Sequence, residues 1–168
     1  MSRERTFISI ALLVGIPAIL AKWITYAFHS DTGDIFGYVF SIIFFGFFAI
    51  FLLIQVLKSD RITGDTIAGA ISIYLLIGIA FAFSYILMEQ LQPGSFYFNA
   101  EIKPNGLNLM DYVYFSFVTM TTMGYGDITP VTPTLQSVAY FEALIGSIYI
   151  VVFIARLVSS YGKERQRL

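Results

Sequence analysis

Residues 119–130 read Thr-Met-Thr-Thr-Met-Gly-Tyr-Gly-Asp-Ile-Thr-Pro. They close an apolar stretch, 112–123, that is too short to cross a bilayer, and they lead into a second, 134–158, that is long enough at about 1.5 Å per residue. A short apolar segment of this kind reads as a buried or re-entrant helix. Backbone that is not helical at membrane depth survives only where it is buried in protein or lines a wet path. Gly124 and Gly126 have ready access to positive φ, which lets successive carbonyls point the same way instead of alternating sides. A column of such carbonyls replaces the water around a bare cation. One strand offers one oxygen per level, so a cage needs several copies, and four copies around a central axis imply a symmetric tetramer.

Working outward, the chain has 168 residues, 57% hydrophobic and 12% charged, with a mean hydropathy of +0.76. Soluble domains carry about 25% charged residues, so the deficit points to lipid as the main solvent. Cysteine is absent, which excludes disulfides, thiol catalysis and Cys-ligated metal, and His29 is the only histidine. A net charge of −1 offers no basic surface for nucleic acid. Apolar stretches at 7–28, 38–57, 66–88 and 134–158 each reach the roughly 20 residues of a spanning helix, so the expected fold class is an all-α integral membrane protein with four transmembrane helices plus the short re-entrant one.

With a cytoplasmic amino terminus and four crossings, Arg3, Arg5, Lys58, Arg61, Arg156, Lys163, Arg165 and Arg167 fall inside. Only Lys22 and Lys103 of the 10 cations lie outside, as positive-inside bias requires. Both termini are therefore expected in the cytoplasm, in a multi-pass plasma (cell inner) membrane protein. The first stretch lacks a small-residue cleavage site and reads as a retained helix. Short turn-like loops are expected at 29–37, with Asp31, Gly33 and Asp34, and at 58–65, with Asp60 and Gly64. The segment 89–110 carries Pro93-Gly94 and Pro104-Asn105-Gly106 and reads as an extracellular turret.

The run Thr121-Thr122-Met123-Gly124-Tyr125-Gly126-Asp127 resembles the selectivity filter of the potassium-channel pore-domain family. The likeness extends over residues 66–160, from outer helix through turret, pore helix and filter to inner helix. It implies a tetrameric K⁺ channel in which the carbonyls of Thr122, Met123, Gly124 and Tyr125, with the Thr122 hydroxyl, bind the permeant K⁺ ions. Gly126 closes the filter. Asp127 resembles the aspartate of the outer mouth, and Tyr114 takes the pore-helix position whose ring hydrogen-bonds it. The carboxyl end of the pore helix aims its negative dipole end at the cavity. Two departures stand out: Met123 replaces the usual Val or Ile, its flexible side chain being expected to pack behind the filter, and Tyr114-Phe115 replaces a frequent pair of tryptophans.

On the inner helix the resemblance places a hinge glycine at Gly146 and a lumen-facing set at Ser147, Ile150, Ile154 and Val158, whose spacing keeps them on one helical stripe. Ile154 and Val158 are the candidate gate, closing by dewetting. Gly146 also fits as a small residue for close helix packing. Glu142 is an acid inside a span; its direction on the helical wheel points to a buried hydrogen bond behind the filter. Lys22 reads as snorkelling, and the first two spans lack the spaced arginines of a voltage sensor. Pro17 reads as a kink. The domain reading is thus 1–65, two N-terminal helices forming a peripheral collar, and 66–168, the pore domain. The partners are a homotetramer, membrane lipids, which the basic tail could contact, and K⁺. The short tail leaves room for a cytoplasmic regulator from a separate gene. The function expected is passive K⁺ flux with no enzymatic chemistry. A non-selective cation channel, made conceivable by Met123, is the alternative. A K⁺ transporter would need four filter motifs in one chain, and an intramembrane enzyme lacks paired carboxylates, His ligands or a Ser-base pair.

Overall fold

The computed structural model describes residues 31–59, 63–99 and 105–165. Most of that chain is helical: α1 is Asp31–Lys58, α2 Gly64–Leu91, α3 Leu109–Met120 and α4 Pro133–Arg165. Two short strands, β1 (Phe96–Phe98) and β2 (Ile128–Pro130), flank α3 in sequence. Among the described residues Gly33–Lys58 of α1, Gly64–Leu91 of α2 and Pro133–Arg156 of α4 are long and apolar enough to cross a membrane. The expected span at 7–28 lies outside the described residues. The other three are present and run further than their apolar cores. α1 takes in 31–37, which was expected to be loop, because acids such as Asp34 are favourable in the first turn of a helix.

Helices α2, α3 and α4 each start where side chains satisfy free backbone N–H groups. Thr63 caps α2: its hydroxyl accepts from Thr66 N (3.3 Å), and the Thr66 hydroxyl accepts in return from Thr63 N (3.3 Å). Asn108 caps α3 in the same reciprocal manner. Its Oδ1 accepts from Met110 N (2.8 Å) and Asp111 N (3.3 Å), while Asp111 Oδ2 accepts from Asn108 N (2.8 Å). Pro133 opens α4 at a position where its missing N–H costs nothing, with Thr132 ahead of it accepting from Leu135 N.

α1 packs along α2 through aromatic side chains, Phe45 stacking on Phe83 at 5.6 Å. Nearer the other end Gly69 lets Val56 come close; a Cβ there would lie 3.1 Å from Val56 Cγ2. Val56, Ala70 and Ile73 form a small core, joined by Tyr149 and Phe153 of α4. The larger core gathers Ala82, Tyr85, Phe96, Tyr112, Phe115, Ile128, Leu135 and Ala139, so that α2, α3, α4 and both strands meet in it. Its centre is an edge-to-face ring cluster with Phe115 5.0 Å from Tyr85 and 5.1 Å from Phe96.

The strands are an addition to the all-helical expectation. β1 and β2 pair antiparallel, with Phe96 opposite Pro130, Tyr97 opposite Thr129 and Phe98 opposite Ile128. The Pro93-Gly94 turn does form, Gly94 at φ 84°, and the Glu89 carboxylate fastens it by accepting from Gly94 N and Ser95 N, each at 2.9 Å. The turret thereby folds back onto the chain that leaves the 121–127 loop.

Replacing Asn108 by Ala removes the cap that starts α3. A loss of about 1 kcal/mol is expected, with Asn108→Asp retaining most of it; thermal unfolding of the purified protein in detergent measures both.

Candidate functional site

α3 ends at Met120 and the chain turns through Thr121, whose backbone is still helical (φ −83°, ψ 0°). The short apolar stretch therefore stops being helix before 121–123, because the N–H groups that follow turn back onto the helix's own last carbonyls. Thr121 N donates to Phe117 O (3.0 Å) and Thr122 N to Thr119 O (2.9 Å). Val118 O receives both Met123 N (2.9 Å) and Gly124 N (3.3 Å). The Thr121 hydroxyl also donates to Phe117 O at 2.6 Å.

Beyond that turn the backbone alternates in handedness. Thr122 (φ 58°), Gly124 (φ 56°) and Gly126 (φ 80°) have positive φ, while Met123 and Tyr125 do not. Alternation of this kind puts successive N–H groups on one side of the chain and successive carbonyls on the other. The N–H side is used by the helix end. Among the described residues, the carbonyls of Thr122, Met123, Gly124 and Tyr125 accept no hydrogen bond, and residues 121–127 are all exposed in the single subunit. Positive φ is ordinary for glycine but strained for a β-branched residue, at about 1–3 kcal/mol. Thr122 carries that strain, which the neighbouring pair of glycines does not signal. Met123 departs from expectation: its side chain is 57% exposed in one subunit instead of packed behind the loop.

Further along the loop Tyr125 stacks on Tyr114 of α3, the rings 6.3 Å apart and within 3° of parallel. Partial desolvation, followed by a hydrogen bond with Asp127 and that carboxylate's charge, pushes the Tyr114 phenol above its ordinary pKa. Asp127 thus lies close enough to Tyr114 for its charge to act on the phenol. Ile128 then enters the core and β2 begins, with Val131 N donating to Ser95 O at 2.8 Å.

Behind α3, Glu142 of α4 is fully buried. The Tyr85 hydroxyl of α2 donates to its Oε2, and its Oε1 lies 2.5 Å from Ser116 Oγ of α3. Ser116 Oγ in turn donates to Gly78 O of α2 at 2.7 Å. The buried hydrogen bond expected of Glu142 is thus a junction of three helices. Gly146, one turn further along α4, packs against Met120; a Cβ there would collide with the Met120 carbonyl oxygen. The Tyr74 hydroxyl reaches the same carbonyl at 3.4 Å. This contact matches the close-packing reading of Gly146.

Ser147, Ile150, Ile154 and Val158 are all exposed on α4 in the single subunit. So are Ile148, Val151 and Val152, so exposure in one chain does not separate a lumen stripe from a lipid-facing one. Arg156, expected on the cytoplasmic side, sends Nη2 to Leu57 O (2.9 Å) and Ser59 O (2.8 Å), capping the end of α1. Nothing local signals that bond, which joins residues almost a hundred apart. Among the described residues no cluster of His, Asp or Glu could hold a metal ion.

A family model described as "Ion channel" matches residues 73–162, more than half the chain, and the chain belongs to that ion channel family. Similar curated proteins include the two pore potassium channel a of Oryza sativa subsp. japonica, 34% identical over 115 residues, covering 68% of this chain and 29% of that protein. The voltage-gated potassium channel Kch of Escherichia coli K12 is 33% identical over 123 residues, covering 73% and 27%. Potassium channel K1 of Plasmodium berghei is 38% identical over 69 residues, covering 41% and 3%. The chain thus spans less than a third of the length of each of these relatives. No solved structure matches it.

Gly146→Ala forces a methyl group into the Met120 carbonyl and should cost about 1–3 kcal/mol. The expected outcome is a lower unfolding temperature and loss of ion flux in reconstituted vesicles, whereas Ala at the exposed neighbour Ser147 should leave the unfolding temperature within experimental error.

Proposed function

We propose that four copies of this chain assemble around an axis in the membrane and conduct K⁺ passively along the loop 121–127. The observation that carries this reading is the alternating handedness at Thr122, Gly124 and Gly126, with four consecutive carbonyls left without a hydrogen-bond partner. Buried or membrane-embedded carbonyls are costly to leave bare; a dehydrated cation is the partner that a ring of such oxygens fits. The names of the three relatives, all potassium channels, support K⁺ as that cation. Thr122, Met123, Gly124 and Tyr125 are the proposed ligands, with the Thr122 hydroxyl at the inner end and Asp127 at the outer mouth.

In this reading α2 is the outer helix, α3 the pore helix and α4 the inner helix. Ser147, Ile150, Ile154 and Val158 line the inner pore, and Ile154 and Val158 form the gate. The apolar stretch 7–28 is the proposed fourth span, forming with α1 a collar without sensor charges, both termini facing the cytoplasm. The C-terminal end of α3 supports cation entry, since its carbonyls and dipole present partial negative charge toward the inner side of the loop. The exposed apolar rows of α1 and α4 suit lipid and neighbouring subunits.

The test is flux of K⁺ against Na⁺ in liposomes holding the purified protein. K⁺ is expected to exceed Na⁺ by tenfold or more, a difference of at least about 1.4 kcal/mol. Gly124→Ala, strained at φ 56°, should abolish that selectivity. A permeability ratio near unity in the wild type, or selective flux retained by Gly124→Ala, refutes the assignment.

A further inference from the structure

Glu142 is the only charged-type side chain among the buried polar residues described, and it is 0% exposed. Its neighbourhood can be settled by counting hydrogens. Oε2 accepts from the Tyr85 hydroxyl. Oε1 stands 2.5 Å from Ser116 Oγ, and that same oxygen stands 2.7 Å from Gly78 O. A carbonyl only accepts, and a serine hydroxyl has one hydrogen to give. If Glu142 were ionised, the single Ser116 hydrogen would be claimed by two acceptors, and one of the two short contacts would bring bare oxygens together. With a proton on Oε1 the conflict disappears. Glu142 donates to Ser116, Ser116 donates to Gly78 O, Tyr85 donates to Oε2, and every contact has one donor.

The surroundings agree. From α2 the titratable groups facing the carboxyl are Tyr85 and, at longer range, Tyr74; from α3 the facing group is the hydroxyl of Ser116. Among the described residues no Lys, Arg or His faces it from any packed element. A carboxylate buried without a cation is strongly disfavoured, and the neutral acid is the form such a site can hold.

We propose that Glu142 is carried as a neutral carboxylic acid that bolts α4 to α3 and α2, and that losing its proton unfastens α3 and lowers conduction as pH rises. The route to the loop is short. Ser116 precedes Val118 by two residues, and Val118 O holds the N–H groups of both Met123 and Gly124. Glu142 is thus a positioning residue, acting on the proposed cation ligands through α3. Its effect on conduction rests on the channel reading above; its protonation does not.

Infrared difference spectra between wild type and Glu142→Gln decide the proton. At neutral pH the wild type should show the carbonyl stretch of a protonated acid, shifted in D₂O and absent from Glu142→Gln. The band should be lost as pH is raised. Ser116→Ala, which removes the proton's acceptor, should move that band without erasing it. Loss of carboxylate bands alone in Glu142→Gln, with no acid band in the wild type, overturns the proposal. K⁺ flux into liposomes tests the coupling. Wild-type flux should fall several-fold over the pH range in which the acid band is lost, and Glu142→Gln, whose amide donates to Ser116 and accepts from Tyr85, should conduct without that fall. An equal alkaline fall in Glu142→Gln overturns the coupling. An acid band in a protein with no K⁺ flux at any pH upholds the proton and counts against the channel reading.

Discussion

The structure turns on the carbonyl of Val118. One oxygen near the end of a short helix accepts the N–H groups of both Met123 and Gly124, and this directs the donor side of the following loop toward protein. The acceptor side must then face away. A strand or a helix would have paired these carbonyls internally; the alternation of positive and negative φ from Thr122 to Gly126 prevents that. The strain accepted at Thr122, a few kcal/mol at most, is held by the hydrogen bonds of the turn before it and by the strand pairing after it.

Keeping Val118 in place is the work of most of the remaining described chain. The cap at Asn108 fixes where α3 starts, and the ring cluster of Tyr85, Phe96, Tyr112 and Phe115 fixes its outer half from the side. Its inner end is pinned where Gly146 of α4 meets the Met120 carbonyl. Gly78 is the counterpart on α2: a Cβ there would come within 2.7 Å of the Phe117 ring. Glycines at both crossings bring the flanking helices against α3, and the Glu142–Ser116–Gly78 hydrogen-bond chain joins all three at its middle. β1 and β2 then tie down the outer exit of the loop.

Much of this was legible in the sequence because its signals are local. Three apolar stretches marked three helices, and the Gly-Tyr-Gly run marked the irregular backbone. Proline and glycine at 93–94 marked a turn. What escaped depends on residues far apart in the chain. The strands at Phe96–Phe98 and Ile128–Pro130 are each three residues long, too short for any periodicity, and exist because the turret meets the loop exit. Met123 is expected behind the loop, yet in one subunit its side chain is more than half exposed. Glu142 was read correctly as a buried hydrogen-bonding group, but its partners lie 26 and 57 residues away. The extra two turns or so of α1 up to Gly37 are hidden by residues that favour loops and helix starts equally.

Arg156 shows how a charge can be misread when only its place along the chain is known. Near the end of an apolar run, a cation reads as an anchor at the membrane surface, and its stem would serve that role well. Its guanidinium instead faces Leu57 O and Ser59 O, where α1 runs out of N–H donors for its last carbonyls. The partial negative charge of that helix end strengthens the bond. Arg156 lies midway between Ile154 and Val158, so the stretch of α4 proposed as the gate is fastened to α1 as well as to α2. Movement of that part of α4 must either carry the end of α1 with it or leave the carbonyls of Leu57 and Ser59 to find other donors. α1 is thereby in direct mechanical contact with the stretch of α4 proposed as the gate.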